Sequence, residues 1–255
     1  MKPDTVVTVR ESQILGRIIG ISSVSGGLCT FHCAYCTEVH TQPTTRRRRM
    51  VDPATLLPEV EAVWDAAAPV DYVVVGGAGD PLLWTGCGDF LRRLRARFGA
   101  PVAVLSPGPL FSRGTIRAAM ANAALVVVKL DAGSADIMRG LNRPHRGVRF
   151  TRHVESLTAF ARAFAGRFLV QCLVVHGMND SEGDCVRLAT AIESMAPSGL
   201  LLVRTRGTAI DLDNVPWRRL RGTTPIVLQA HPVGADCVAK GEPVSAGHGI
   251  SCWQI

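Results

Sequence analysis

Six short runs of β-branched and aliphatic residues recur along the chain, separated by stretches of helical periodicity. They are IIGISSV (18–24), DYVVVGG (71–77), PVAVLS (101–106), ALVVVKLD (124–131), RFLVQCLVV (167–175) and GLLLVRT (199–205). The helical patterns fall near 53–68, 88–98, 113–123, 149–165 and 181–195, with turn residues at the joints. Asp52 before Pro53 supplies a cap and first-turn pair for the first of them. Strands that read as nearly unbroken apolar runs are buried on both faces. Their alternation with helices calls for a parallel sheet with right-handed crossovers. Six such units predict an α/β fold, an incomplete (β/α)6 barrel of the TIM type. The loops that follow the strands then gather at one face, where ligands of parallel α/β folds bind.

Past Thr205 the rhythm gives way to Gly, Pro and a short PIVLQ strand. The expected division is a barrel over 1–205 and a small C-terminal extension over 206–255. At 255 residues and 47% hydrophobic content, the chain can bury one large core. The opening MKPDTVVTVRESQ has no apolar signal core, and no run approaches the roughly 20 apolar residues of a membrane span. A cytoplasmic protein with no membrane partner is therefore expected. The net charge of +7 suggests an anionic partner such as RNA or a phosphorylated metabolite. Much of the local excess lies in Arg46, Arg47, Arg48 and Arg49, however, which also read as a solvated loop.

Eight cysteines in a reducing compartment point to metal ligation or redox chemistry before disulfides. Three of them, Cys29, Cys33 and Cys36, fall within CTFHCAYC, after the first strand and so at the ligand-binding face. Four thiolates would close a zinc site or complete an iron-sulfur cluster. Three with no near fourth suit a four-iron cluster whose last iron stays open to a substrate. A zinc site completed by His32 or His40 is the alternative. The histidines are otherwise scattered rather than set at metal-ligand spacing, and none is assigned a role.

CxxxCxxC after a first strand resembles the signature of the radical S-adenosylmethionine (SAM) superfamily. The resemblance implies that Cys29, Cys33 and Cys36 hold a [4Fe-4S] cluster, whose fourth iron binds the amino and carboxylate groups of SAM. A one-electron reductant of flavodoxin or ferredoxin type is implied, as is the cleavage of SAM to a 5'-deoxyadenosyl radical. Tyr35 would lie against the adenine. VVVGGAGDPLL (73–83) is similar to the family's Gly-Gly-Glu motif, which makes Gly76, Gly77, Gly79, Asp80 and Pro81 SAM-binding candidates. Asp80 stands where glutamate is usual, one methylene shorter, so contact through backbone carbonyls or water is the alternative. LGRIIGI, KLDAGSADIMRGLNRPHRG (129–147) and VVHGMNDSEGD (174–184) resemble the wyosine-synthase-like branch of the superfamily. By position at strand ends, Ser106, Lys129 and Asp131 are candidate contacts to the ribose or carboxylate of SAM. Lys129 after VVV would otherwise pair with Asp131 or reach solvent.

The tail contains Cys237, nine residues, Gly247, four residues and Cys252. This resembles the opening motif of the twitch and SPASM appendices that carry auxiliary iron-sulfur clusters, whose completion would need Cys87, Cys172 or Cys185. Alternatively, Cys237 or Cys252 is a free thiol that returns hydrogen to a carbon radical, as in radical SAM epimerases. The favoured expectation is a radical SAM epimerase acting on a small natural product, such as a sugar, an aminocyclitol or a peptide, in a pathway like antibiotic biosynthesis. A radical SAM dehydrogenase, a tRNA-base modifier and a non-catalytic metal-bearing nucleic-acid-binding protein are the alternatives. The extra basic or flavin-binding regions usual in tRNA-modifying relatives are not in this sequence, which favours a smaller substrate.

Overall fold

A computed structural model describes residues 6–22, 27–36, 42–67, 69–206, 208, 210–213, 215–221 and 223–234. Cys237 and Cys252 lie outside the described residues. One eight-stranded sheet runs in chain order: β1 (Val6–Ser12), β2 (Gly16–Ser22), β3 (Tyr72–Val75), β4 (Val102–Ser106), β5 (Leu125–Lys129), β6 (Arg167–Val174), β7 (Gly199–Arg206) and β8 (Ile226–Gly234). From β2 to β8 every neighbour pair is parallel. The sheet curls into a partial barrel, the expected α/β architecture.

The helices are α1 (Pro53–Ala67), α2 (Cys87–Arg97), α3 (Gly114–Ala119), the short α4 (Ala135–Ile137), α5 (Phe150–Ala163), α6 (Glu182–Met195) and α7 (Val215–Arg221). The Asp52 carboxylate accepts the amide of Ala54 at 2.9 Å, so the predicted cap is in place at the start of α1.

Alternate strand residues sort onto the two faces of the sheet. Ile19, Val73, Val104, Val126, Val170 and Cys172 pack beneath the helices. Ile18, Val74, Leu105, Val127 and Leu169 fill the inside of the curl. Both faces are dry, which is why these strands read as continuous apolar runs rather than alternating ones. Further along β6 and β7, Leu173, Val175, Leu201 and Val203 pack with Tyr35 and Leu141 and close the strand-end side of the interior.

Two parts of the sheet differ from the sequence-based expectation. β1 was not anticipated; it pairs antiparallel with β2 through a turn at 13–15, where the Ser12 hydroxyl accepts the amides of Ile14 and Leu15. The PIVLQ run does not stand apart from the barrel. It forms β8, which follows α7 and pairs in parallel with β7, so the β/α alternation continues beyond Thr205.

Candidate active site

The cysteine loop follows β2 and lies across the strand ends, pinned through its backbone on several sides. Asp80 N donates to the carbonyl of Leu28 at 3.0 Å, and Thr44 N to that of Cys29 at 3.0 Å. His145 N donates to Thr30 O, His32 N to the carbonyls of Asn142 and Arg143, and Ala34 N to Leu141 O at 2.8 Å. The 141–145 segment can present these groups because Met138–Asn142 is a π-helical turn that ends at Arg143 with φ 45°, a left-handed conformation that turns the chain sharply. Cys29 and Phe31 pack with Ala132 and Met138, while Cys33 and Cys36 are partly exposed.

Two buried carboxylates grip the loop. Asp80 accepts from the Thr30 hydroxyl at 2.9 Å, from the Ser106 hydroxyl at 2.9 Å and from the Leu82 amide at 3.1 Å. Burial pushes its pKa up, and the three hydrogen bonds oppose that rise. It also caps the 3-10 turn Pro81–Leu83. Gly76, Gly77 and Gly79, which bring the chain from β3 to this carboxylate, all have positive φ. At Gly76 a side chain would collide with the Leu105 carbonyl, whereas at Gly77 the space is open.

Asp131 lies two residues past β5. It accepts from the Tyr35 hydroxyl, from Asn142 Nδ2 at 2.7 Å and from the amide of Leu173 at 2.7 Å. Lys129 Nζ lies 3.7 Å from the same carboxylate and 4.9 Å from the centre of the Tyr35 ring. Asn142 also reaches toward Cys33 Sγ at 3.5 Å, which ties this network to a cluster-ligand candidate. Tyr35, Lys129 and Asp131 are therefore brought together. Ser106 and Asp80 are brought together as well, with the hydroxyl of one committed to the carboxylate of the other.

Sequence reasoning missed Thr30, Asn142 and Arg47. Asn142 belonged to a quoted motif without an assigned role, and Thr30 gave no signal beyond its place among the cysteines. Arg47, from the arginine run, is a brace: its guanidinium donates to the carbonyls of Leu82 at 2.9 Å and Trp84 at 2.8 Å, and burial lowers its pKa. The neighbouring Arg49 instead pairs at the surface with Asp52.

The three thiols on this anchored loop form a donor set that suits a four-iron cluster with one open iron. Among the described residues no three Cys, His, Asp or Glu side chains are already arranged around a metal position, so the fit rests on the donor set and its anchoring. Burial pushes the thiol pKa of Cys87 up to about 12, that of Cys185 up to about 11 and that of Cys172 well above the ordinary range. All three are buried, and without a bound metal burial favours their neutral thiol form. Among the described residues, no helix is long and apolar enough to cross a membrane.

Comparison with known proteins gives the family and the fold. The profile of the Radical SAM superfamily matches residues 23–189. A UPF0026 protein of Methanocaldococcus jannaschii is 25% identical over 190 residues, covering 73% of this chain and 59% of that protein. A protein named GTPase Obg from Brachyspira hyodysenteriae is 25% identical over 202 residues, 78% of this chain but only 29% of that protein. The chain thus spans less than two thirds of the length of these relatives, and their own activities stay with them. Among solved structures, a radical SAM methyltransferase from Sphaerobacter thermophilus superposes with a TM-score of 0.62 at 18% identity, over 90% of this chain and 70% of that one. Streptococcus suis SuiB bound to its precursor peptide SuiA superposes with a TM-score of 0.58 at 12% identity, over 84% of this chain and 49% of that one. These two likenesses establish the fold.

Proposed function

Because the chain belongs to the radical SAM superfamily, whose cofactors are a [4Fe-4S] cluster and SAM, we propose that Cys29, Cys33 and Cys36 are its cluster ligands. Bound there, the two cofactors supply reductive cleavage of the sulfonium and a 5'-deoxyadenosyl radical that removes hydrogen from a C–H bond. The observation that supports this reading is the cysteine loop, seated over the strand ends and held by Asp80 on one side and Asp131 on the other.

In this reading the residues of the chain bind and orient. The open space above Gly77 admits a ligand close to the backbone. Asp80 and Ser106 hold the loop in place and leave the SAM amino group to backbone carbonyls beside them. Lys129 and Asp131 set the charge beside Tyr35, and the apolar residues packed there keep water from the reacting atoms. An external one-electron donor of flavodoxin or ferredoxin type completes the system.

The substrate we favour is a small natural product: a sugar, an aminocyclitol or a peptide. The reaction we favour is epimerisation, with Cys237 or Cys252 returning the hydrogen atom. What supports that step is the presence of two thiols in the tail of the sequence. Cysteines of an auxiliary cluster would instead favour dehydrogenation.

Anaerobic incubation of the reconstituted protein with SAM and dithionite tests the core of the proposal. We expect 5'-deoxyadenosine, separated chromatographically, from the parent protein and none from the Cys29→Ala, Cys33→Ala, Cys36→Ala triple variant. Equal yields from the two would end it. Solvent deuterium in an inverted product, lost in Cys252→Ala or Cys237→Ala, is the expected mark of epimerisation. A product two hydrogens lighter would replace that step with dehydrogenation.

A further inference from the structure

Beside the cysteine loop lies a cavity of about 150 Å³ that shares no lining residue with the Asp80 or Asp131 networks. It is bounded by Thr45, by the turn after β4 that ends at Ser112 and Arg113, and by the first turn of α5, which contributes Arg149, Arg152 and His153. Three independent features converge on it.

The first is uncompensated positive charge. Arg113, Arg149 and Arg152 line the cavity, and none forms an ion pair among the described residues. Among the described residues Arg113 makes one side-chain hydrogen bond, to the Thr45 carbonyl at 3.0 Å, which leaves most of its donor fork to spare. The second is the end of a helix. α5 is 14 residues long, its N-cap Arg149 offers no side-chain acceptor, and its first turn holds no acidic residue. Its leading amides therefore add to the positive potential. The third is His153, which is 3% exposed and among the described residues has no hydrogen-bond partner for either ring nitrogen.

A buried imidazole with both nitrogens unsatisfied costs free energy that an apolar side chain of similar size would avoid. Packing gives it one contact on the loop side, the edge of Phe31 at 5.8 Å between ring centres. It does not explain a polar ring in the wall of a cavity that Arg113, Arg149 and Arg152 also line. A single oxyanion in the cavity would answer all three features at once, accepting from guanidinium, imidazole and helix amides. The volume suits one phosphate or carboxylate group rather than a whole nucleotide.

We infer that this pocket binds the oxyanion group, a phosphate ester or a carboxylate, of the substrate. The assignment to substrate rests on the enzymatic reading above; the binding itself does not. With Phe31 between Cys29 and Cys33, an anion held against His153 is one side chain from the loop. It would anchor a remote part of the substrate while the reacting carbon is positioned elsewhere.

The test is calorimetric titration of the full-length, anaerobically reconstituted protein with sodium phosphate and with sodium acetate, at constant ionic strength made up with chloride. We expect saturable binding of one of the two anions. Replacing both Arg149→Gln and Arg152→Gln should weaken it by about tenfold or more, the loss of at least one charge-assisted hydrogen bond. These two side chains lie outside the core, so the variant should fold, and Arg162→Gln should bind as the parent does. His153→Leu should weaken binding as well; should it fail to fold, the arginine pair carries the test. Preference for phosphate identifies a phosphate ester and preference for acetate a carboxylate, and either supports the inference. No binding beyond chloride, no change in the arginine variant, or an equal loss of SAM affinity in that variant would overturn it. No turnover is measured, so this outcome is separate from that of the 5'-deoxyadenosine assay.

Discussion

Asp80 and Asp131 are both fully buried carboxylates at strand ends, and both hold the same cysteine loop, yet they are stabilised by different means. Asp80 is met by two hydroxyls and an amide. Asp131 is met by a hydroxyl, two amide groups and a buried ammonium, Lys129, at 3.7 Å. At Asp80 the three hydrogen bonds and, more weakly, the charge of Arg47 oppose the desolvation without overcoming it, so burial dominates and the pKa rises. A cation as close as Lys129 makes Asp131 half of an ion pair, in which each charge depends on the other. One grip on the loop is thus a polar tie that tolerates neutralisation, and the other is electrostatic.

The contrast is most exposed by Asp131→Asn, which keeps the shape but strips the carboxylate from beside Lys129. We expect a loss of about 3–5 kcal/mol in unfolding free energy, the usual cost of removing one partner of a buried pair. Anaerobic denaturant titration measures it, and a loss under about 1 kcal/mol would make the two grips equivalent.

The acid range carries a second titration that must be separated from Asp80. Burial lowers the His153 pKa from 6.5 to about 4, so the unfolded chain binds more protons than the folded one between those values. The resulting penalty is absent above pH 6.5 and grows toward pH 4, to on the order of 3 kcal/mol. His153→Leu should flatten that slope in unfolding free energy measured from pH 7 to 4.

Tyr35→Phe removes one donor to Asp131 while leaving the ring under Lys129. A cost of about 1 kcal/mol is expected, well below that of Asp131→Asn in the same assay.

The smallest effect is expected at Asp80→Asn. The carboxamide oxygen can accept two of the three hydrogen bonds, and a rotated hydroxyl can accept from its amine, so the change at neutral pH should be within about 1 kcal/mol. The sign of its pH dependence is the sharper test. A carboxyl with a raised folded pKa binds more protons in the native state, so its contribution is present at low pH and lost as pH rises through that value. The stability of Asp80→Asn relative to the parent should therefore improve as pH increases from 4. This difference cancels the His153 slope common to both proteins, and a decline would show that the Asp80 charge is needed for the grip.

Much of the barrel was legible in the sequence. Strands buried on both faces must be written as continuous apolar runs, so β2 through β7 could be read directly, with bounds close to those observed. β1 escaped because it lies at the sheet edge with Val9 exposed and charged residues along it, so no core imposes an apolar run there. β8 was visible as a strand, but its attachment to β7 was not, since register with a neighbour is a long-range property. The candidate site divides the same way. The cysteine triplet and the glycine turn were found because their spacing is local. Thr30, Asn142 and His153 were missed because their meaning depends on what lies opposite them.

The sequence by itself therefore determined the order of β2 to β7 with the longer helices between them, the presence of three thiols on one strand-end loop and the backbone freedom beside them. Each of these follows from periodicity, spacing or glycine within a short segment. Only the tertiary structure decided how the loop is held. Asp80 lies 50 residues from Thr30, and Asp131 lies 96 residues from Tyr35. It likewise decided that three arginines and an unpartnered histidine share one cavity. The physical reason is that burial and charge pairing belong to the space around a side chain, and that space is assembled from segments which share no local pattern.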